Sequence, residues 1–114
     1  MTKQETELLQ GTLDVLILKT LAWGPRHGYG IAKWLEDTTD DALTIEEGSL
    51  YPALYRMERK GWIEAEWGMS ELGRKAKFYA LTSPGRARLR QEVAAWHRVS
   101  AAIGKVLGVA GGRV

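Results

Sequence analysis

The chain contains no cysteine. Disulfides and thiolate metal sites are therefore excluded, which fits a reducing compartment and leads us to expect a cytoplasmic protein. Histidine is almost as scarce: His27 and His97 stand alone, and without cysteine they make a poor transition-metal site. Long hydrophobic runs are missing as well. The longest, Val15-Leu16-Ile17-Leu18, is far too short to cross a bilayer, and the opening MTKQETELL lacks the basic-then-apolar order of a signal peptide. No membrane partner is expected. There is no glycine-rich phosphate loop, nucleophile elbow or HExxH pair, and the acids between Glu36 and Glu47 lack the pattern of a calcium loop. The sequence calls for no metal and no cofactor, and it offers no catalytic constellation. Internal repeats and low-complexity stretches are absent too.

What remains is a chain of 114 residues, 45% hydrophobic and 26% charged, suited to one soluble domain. Its formal net charge of +2 hides a division. Residues 1–47 hold 4 basic and 9 acidic side chains, a net of −5, whereas residues 48–114 hold 12 basic and 5 acidic, a net of +7. A bipolar chain of this kind suits a polyanionic partner on its basic half, although clustered, solvated charge explains the division equally well.

The apolar spacing predicts a first helix from Thr12, as N-cap, to about Trp23, where Gly24-Pro25 stops it. Leu9, Leu13, Leu16, Ile17 and Leu21 form one apolar stripe; Leu8, Val15, Leu18 and Ala22 form another. A helix apolar on two sides needs two covers, which hints at a partner subunit. A short second helix is expected over Tyr29–Asp37, and Leu43-Thr44-Ile45 has the composition of a very short strand. The third helix is expected over Ser49–Lys60, with Ser49 as cap, Pro52 in the first turn and Gly61 at its end. At about 100° per residue, Leu50, Ala53, Leu54 and Met57 share one side. Pro52, Tyr55, Arg56 and Arg59 share the other, with Tyr51 on the flank. Two alternating runs, 62–67 and 76–81, form a hairpin whose loop is too long for a two-residue turn. Ser83 as N-cap and Pro84 behind it then start a last helix that runs to about Leu107. Along it Leu89, Val93, Trp96, Ser100, Ile103 and Leu107 make a heptad seam.

The expected architecture is mainly α with a small β-hairpin wing: a winged helix-turn-helix followed by a long C-terminal dimerisation helix. Its divisions are 1–82 for the DNA-binding part, 83–107 for the dimerisation helix and 108–114 for a flexible tail. A helix with its side chains is about as wide as the B-DNA major groove, and a basic hairpin beside it can reach phosphates.

The segments GTLDVLILKTL, HGYGIAKWL, EEGSLYPALYRMERKGWIEAEW and GRKAKFYALTSPG, in this order, resemble the successive signatures of PadR-type transcriptional regulators. The resemblance covers about residues 8 to 107, and the single C-terminal helix is similar to the smaller branch of that family. It implies a homodimeric repressor whose last helices pair with each other and with the partner's first helix. Leu9, Leu13, Leu89, Val93, Trp96, Ile103 and Leu107 would form the dimer interface. It further implies that Ser49, Tyr51, Pro52, Tyr55 and Arg56 lie at or near double-stranded DNA, and helical angle adds Arg59. In the wing, Arg74, Lys75 and Lys77 would contact the backbone, although this chain has Ala76 and Ala80 where many relatives carry arginine. The family's interfacial cavity can accept flat aromatic or cationic effectors, which makes Trp96 a candidate effector contact; plain dimer packing explains it too. Trp34, Trp62 and Trp67 read as packing residues, and His27 as a turn residue bonded to backbone. The alternative to a DNA-binding regulator is a winged-helix protein-interaction module that does not bind DNA.

Overall fold

The structure, a computed structural model, describes residues 3–108, with side chains from residue 12 onward. Leu9 and the tail beyond Gly108 therefore lie outside the described side chains. The elements are α1 (Lys3–Leu21), β1 (Arg26–His27), α2 (Gly28–Thr38), α3 (Glu47–Arg59), β2 (Ile63–Met69), β3 (Lys75–Leu81) and α4 (Ser83–Leu107). The strands form one antiparallel sheet in the order β1-β3-β2.

α1 begins at Lys3, nine residues before the expected cap at Thr12. Residues 3–10 are mostly good helix formers, and together they outweigh the roughly 1 kcal/mol that Gly11 costs inside a helix. From residue 12 to residue 22 only Lys19 is exposed. Within the chain α1 packs against α2, α3, α4 and β3, which buries Leu13, Ile17, Leu18 and Leu21 in this subunit's own core and leaves Val15, Leu16 and Ala22 half-buried. Leu8, of the second apolar stripe, lies outside the described side chains. Thr20, the one buried polar residue among those described, donates its hydroxyl to the Leu16 carbonyl at 2.8 Å, so its burial leaves no orphan group.

Leu43–Ile45 is not a strand. Asp40 and Asp41 adopt left-handed conformations (φ 51° and 64°), which turn the chain back after α2. The available edge of β3 is taken instead by Arg26 and His27, paired with Tyr79 and Phe78. Two residues are too few to show an alternation, so this strand left no trace in the sequence.

α3 also starts early, at Glu47, with Glu46 as an N-cap that makes no side-chain bond. Ser49 consequently lies inside the first turn rather than capping it. Pro52 is the sixth helical residue and sits beyond that turn, where it takes away the N–H that would bond the Gly48 carbonyl. Burial offsets this loss. Leu50, Ala53, Leu54 and Met57 are all within 2% of complete burial, and each large side chain contributes about 1.5–3 kcal/mol. The helix ends as expected at Gly61 (φ +77°): Trp62 N–H bonds the Met57 carbonyl and Gly61 N–H the Glu58 carbonyl, the paired closure of a Schellman motif.

The hairpin loop is shorter than its sequence suggested, spanning Ser70–Arg74 between the strand ends. Ser70 closes it, with its N–H bonded to the Arg74 carbonyl and its own carbonyl to Gly73 N–H. Gly73 supplies the left-handed residue (φ +72°) that the turn demands.

α4 is capped by Thr82, not Ser83: the Thr82 hydroxyl oxygen accepts from Gly85 N–H at 3.1 Å and its O–H donates to the Gly61 carbonyl at 2.6 Å. One residue therefore joins the end of α3 to the start of α4. Gly85 is buried against the Trp62 backbone, and Leu89 packs on the core. Beyond that the helix leaves the body. Its 25 residues span about 37 Å, and the 16.0 Å radius of gyration exceeds the about 13 Å of a compact chain this long.

Candidate nucleic-acid interface

With Leu50 at the centre of the buried side, Gly48, Pro52, Tyr55 and Arg59 fall on one line at the middle of the outer side of α3. Tyr55 is 62% exposed, and Pro52 and Arg59 are exposed beside it. The Arg59 guanidinium lies 5.7 Å from the Tyr55 ring centroid, near enough for a cation–π contact that holds both side chains outward. A side chain at Gly48 would meet nothing within 4 Å, so the head of this line is open. Lys60 joins Tyr55, Arg56 and Arg59 around a shallow depression at its foot.

The flanks of α3 are engaged differently. Arg56, expected among the DNA contacts, is ion-paired through Nη2 with the Asp14 carboxylate of α1. Lys77, expected on a phosphate, pairs with Glu58 at 3.3 Å. Two of the anticipated cations are thus held by this chain's own acids. Among the described residues, Arg59, Lys60, Arg74 and Lys75 have no such carboxylate partner. Ser49 is half-buried. Glu46 and Glu47 stand exposed at the start of α3, where they complement the helix dipole and repel a phosphate.

An open groove separates α3 from the wing, walled by Tyr29, Tyr51, Trp67, Arg74, Lys75 and Lys77. Tyr51 is 44% exposed and leans across the start of α2. A Cβ on Gly28 would sit 2.6 Å from the Tyr51 hydroxyl oxygen, so glycine there makes room for the ring. Trp67 is 61% exposed, not packed as its alternation suggested, and Lys75 Nζ lies 5.3 Å from its ring. The strand continues past the edge of the body, so its inward face has nothing left to cover. Trp34 and Trp62 do pack against the core, the latter between Lys60 and Arg88 at 4.7 and 4.8 Å. Tyr79 closes the groove floor, where burial pushes its phenol above the ordinary value against the opposing pull of Lys77. His27 caps α2, its Nδ1 accepting from Gly30 N–H at 3.0 Å, with Phe78 edge-on at 5.2 Å. This is the turn role expected of it.

Gly48 escaped the sequence reading because the helix was begun at Ser49; a wheel started at Glu47 puts it in line with Pro52. Lys60 stood at the end of the expected helix, Trp67 was expected to pack, and Tyr29 carried no signal beyond its place at the start of the second helix.

The sequence model of the PadR-like transcriptional regulator family matches residues 17–91, a span that runs from α1 through the wing into α4. The chain belongs to this family. A transcriptional regulator from Clostridium thermocellum is similar in structure, with a TM-score of 0.79 at 30% identity over 87% of this chain and 96% of that one. A PadR family transcriptional regulator from Eggerthella lenta gives 0.77 at 34% identity, over 93% and 90% of the two chains. In sequence, a protein from Lysinibacillus sphaericus is 35% identical over 82% of this chain and 86% of its own length. As a PadR-like winged-helix protein, the chain is a DNA-binding transcriptional regulator. No helix among its described residues is long and apolar enough to cross a membrane.

Proposed function

We propose that this PadR-like regulator acts as a homodimeric repressor on a near-palindromic operator. Residues 1–82 carry the DNA-binding part, 83–107 the dimerisation helix and 108–114 a tail. α3 enters the major groove with the Gly48–Pro52–Tyr55–Arg59 line leading and Ser49 and Tyr51 at its edges. Arg74 and Lys75, with Lys77 behind them, follow the backbone from the wing. The observation that carries this reading is the open line on α3, aromatic and cationic, on the same helix whose flank residue Tyr51 lines a groove bordered by the wing cations Arg74 and Lys75. Phosphate contacts there would set the register, and contacts to base edges would supply the preference for one sequence.

Dimerisation is supported by the outer half of α4. Trp96, Val99, Ile103, Val106 and Leu107 are exposed along one side of a helix that leaves the body, and Val93 is half-buried at its base. Leu13 and Leu89 pack within their own subunit, so they would shape this surface from below. Two subunits joined there would present their α3 helices to half-sites one or two helical turns apart. Trp96, 49% exposed, gives a flat aromatic or cationic effector a surface to stack on. An effector that shifts operator affinity roughly 5–150-fold needs a coupling of only about 1–3 kcal/mol.

The test is binding to the protein's own promoter fragment across a salt series. Log affinity falls linearly and steeply with log salt if basic side chains displace counterions. Absence of binding at low salt would instead favour an interaction module that works without DNA.

A further inference from the structure

The reading of α3 as the DNA-entering helix leaves one strong contact unused. Arg56 points to the flank away from the wing, where its guanidinium meets the Asp14 carboxylate. The side chains are 42% and 21% exposed, so the pair is partly shielded from water and its charge-assisted bond is stronger than a surface contact. Asp14 itself sits on α1 directly after core residue Leu13. Its position is therefore set by the most enclosed element of the chain. On the opposite flank, Glu58 and Lys77 join α3 to β3. α3 is braced on both edges, and the unbraced line faces outward.

We infer that Asp14 is a positioning residue for operator recognition: it holds Arg56 against α1, fixes the set of α3 on the body, and withholds the Arg56 charge from DNA phosphates. The inference rests on the DNA-binding reading above. Its consequence for specificity is direct. A phosphate contact adds affinity for every sequence alike. A free arginine beside the groove would therefore raise binding to unrelated DNA as well as to the operator. With Asp14 in place the pair is neutral, and α3 keeps the geometry on which base contacts depend.

The experiment compares the wild-type chain with Asp14→Asn, Arg56→Met and the double variant, by salt-dependent binding to the promoter fragment and to unrelated duplex, and by thermal unfolding without DNA. Asp14→Asn should steepen the salt slope by about one per subunit and tighten binding to unrelated duplex several-fold more than binding to the promoter. Adding Arg56→Met should return the slope to the wild-type value. Arg56→Met alone should leave the slope unchanged while weakening promoter binding. Without DNA, each single variant should lower Tm and the double variant should fall no further than either. A slope flattened by about one in Arg56→Met alone would put Arg56 already on a phosphate and overturn the inference. So would a wild-type slope and discrimination in Asp14→Asn, or additive Tm losses with normal DNA binding. A wild-type chain with no salt-dependent affinity would remove the DNA reading itself, a result the Tm cycle does not mimic.

Discussion

Two glycines show how differently one residue type is used within this chain. At Gly85 a Cβ would stand 1.8 Å from the Trp62 carbonyl oxygen, a contact between two backbones that no rotamer change can relieve. Overpacking of this kind costs about 1–3 kcal/mol or more. Gly85→Ala should therefore lower Tm by roughly 10 °C, since each kcal/mol moves a domain of this size by several degrees. It should also loosen α4, because Gly85 N–H is the group that Thr82 caps. Gly48 offers the contrast: it has open space around it, and its helical position favours Ala by up to about 1 kcal/mol. Gly48→Ala should raise Tm slightly while weakening operator binding, because the methyl group adds bulk at the head of the line proposed to meet DNA. Thermal unfolding and promoter binding on the two variants check both halves, and a Gly85→Ala chain as stable as wild type would disprove the close approach of α4 to Trp62.

At the scale of elements, α2, α3, the hairpin and α4 were legible, because each has a period or a stop signal that works locally. Leu50, Leu54 and Met57 recur on one side of a helix, and Gly61 ends it through a positive φ. Element starts were less legible. Thr12, Ser49 and Ser83 are all good caps by residue type, yet Lys3, Glu47 and a Thr82 cap prevail. Hydroxyl side chains compete along neighbouring positions, and tertiary partners such as the Gly61 carbonyl decide among them. The site was legible as a face but not as a set of contacts. The wheel separated Tyr55 and Arg59 from the core, but it could not show that Asp14, 42 residues away, had engaged Arg56. The cation on the open line is Arg59, stacked over Tyr55 and without a carboxylate partner. Arg59→Ala should weaken operator binding by about 1–3 kcal/mol if it reads a base, or flatten the salt slope by about one per subunit if it meets a phosphate. Fold stability should barely change, because the side chain is exposed. Salt titration on promoter DNA separates the two roles, and an unaltered binding curve would exclude Arg59 from the interface.

For the molecule as a whole, the decisive surface is the outer half of α4. Every residue from Ala101 to Gly108 is exposed, and Val99, Ile103 and Val106 extend the apolar face that begins at Trp96. The heptad count found Trp96, Ile103 and Leu107 on this face but not Val99 and Val106, which widen it beyond a two-position seam. Exposed apolar area of this extent on a helix that leaves the body is costly in water, and a second copy offers the same face in return. Ile103 is 50% exposed, so a charge there disturbs no packing within one subunit. Ile103→Asp should thus leave the secondary structure intact while placing a carboxylate in the middle of the paired face, where desolvation opposes association. On the proposed pairing, sedimentation should show the wild-type chain as a dimer and the variant as a monomer at the same concentration. Operator affinity should fall with it, since a single α3 spans one half-site only. A variant that remains dimeric would move the interface to another surface and leave the long helix without its assigned role.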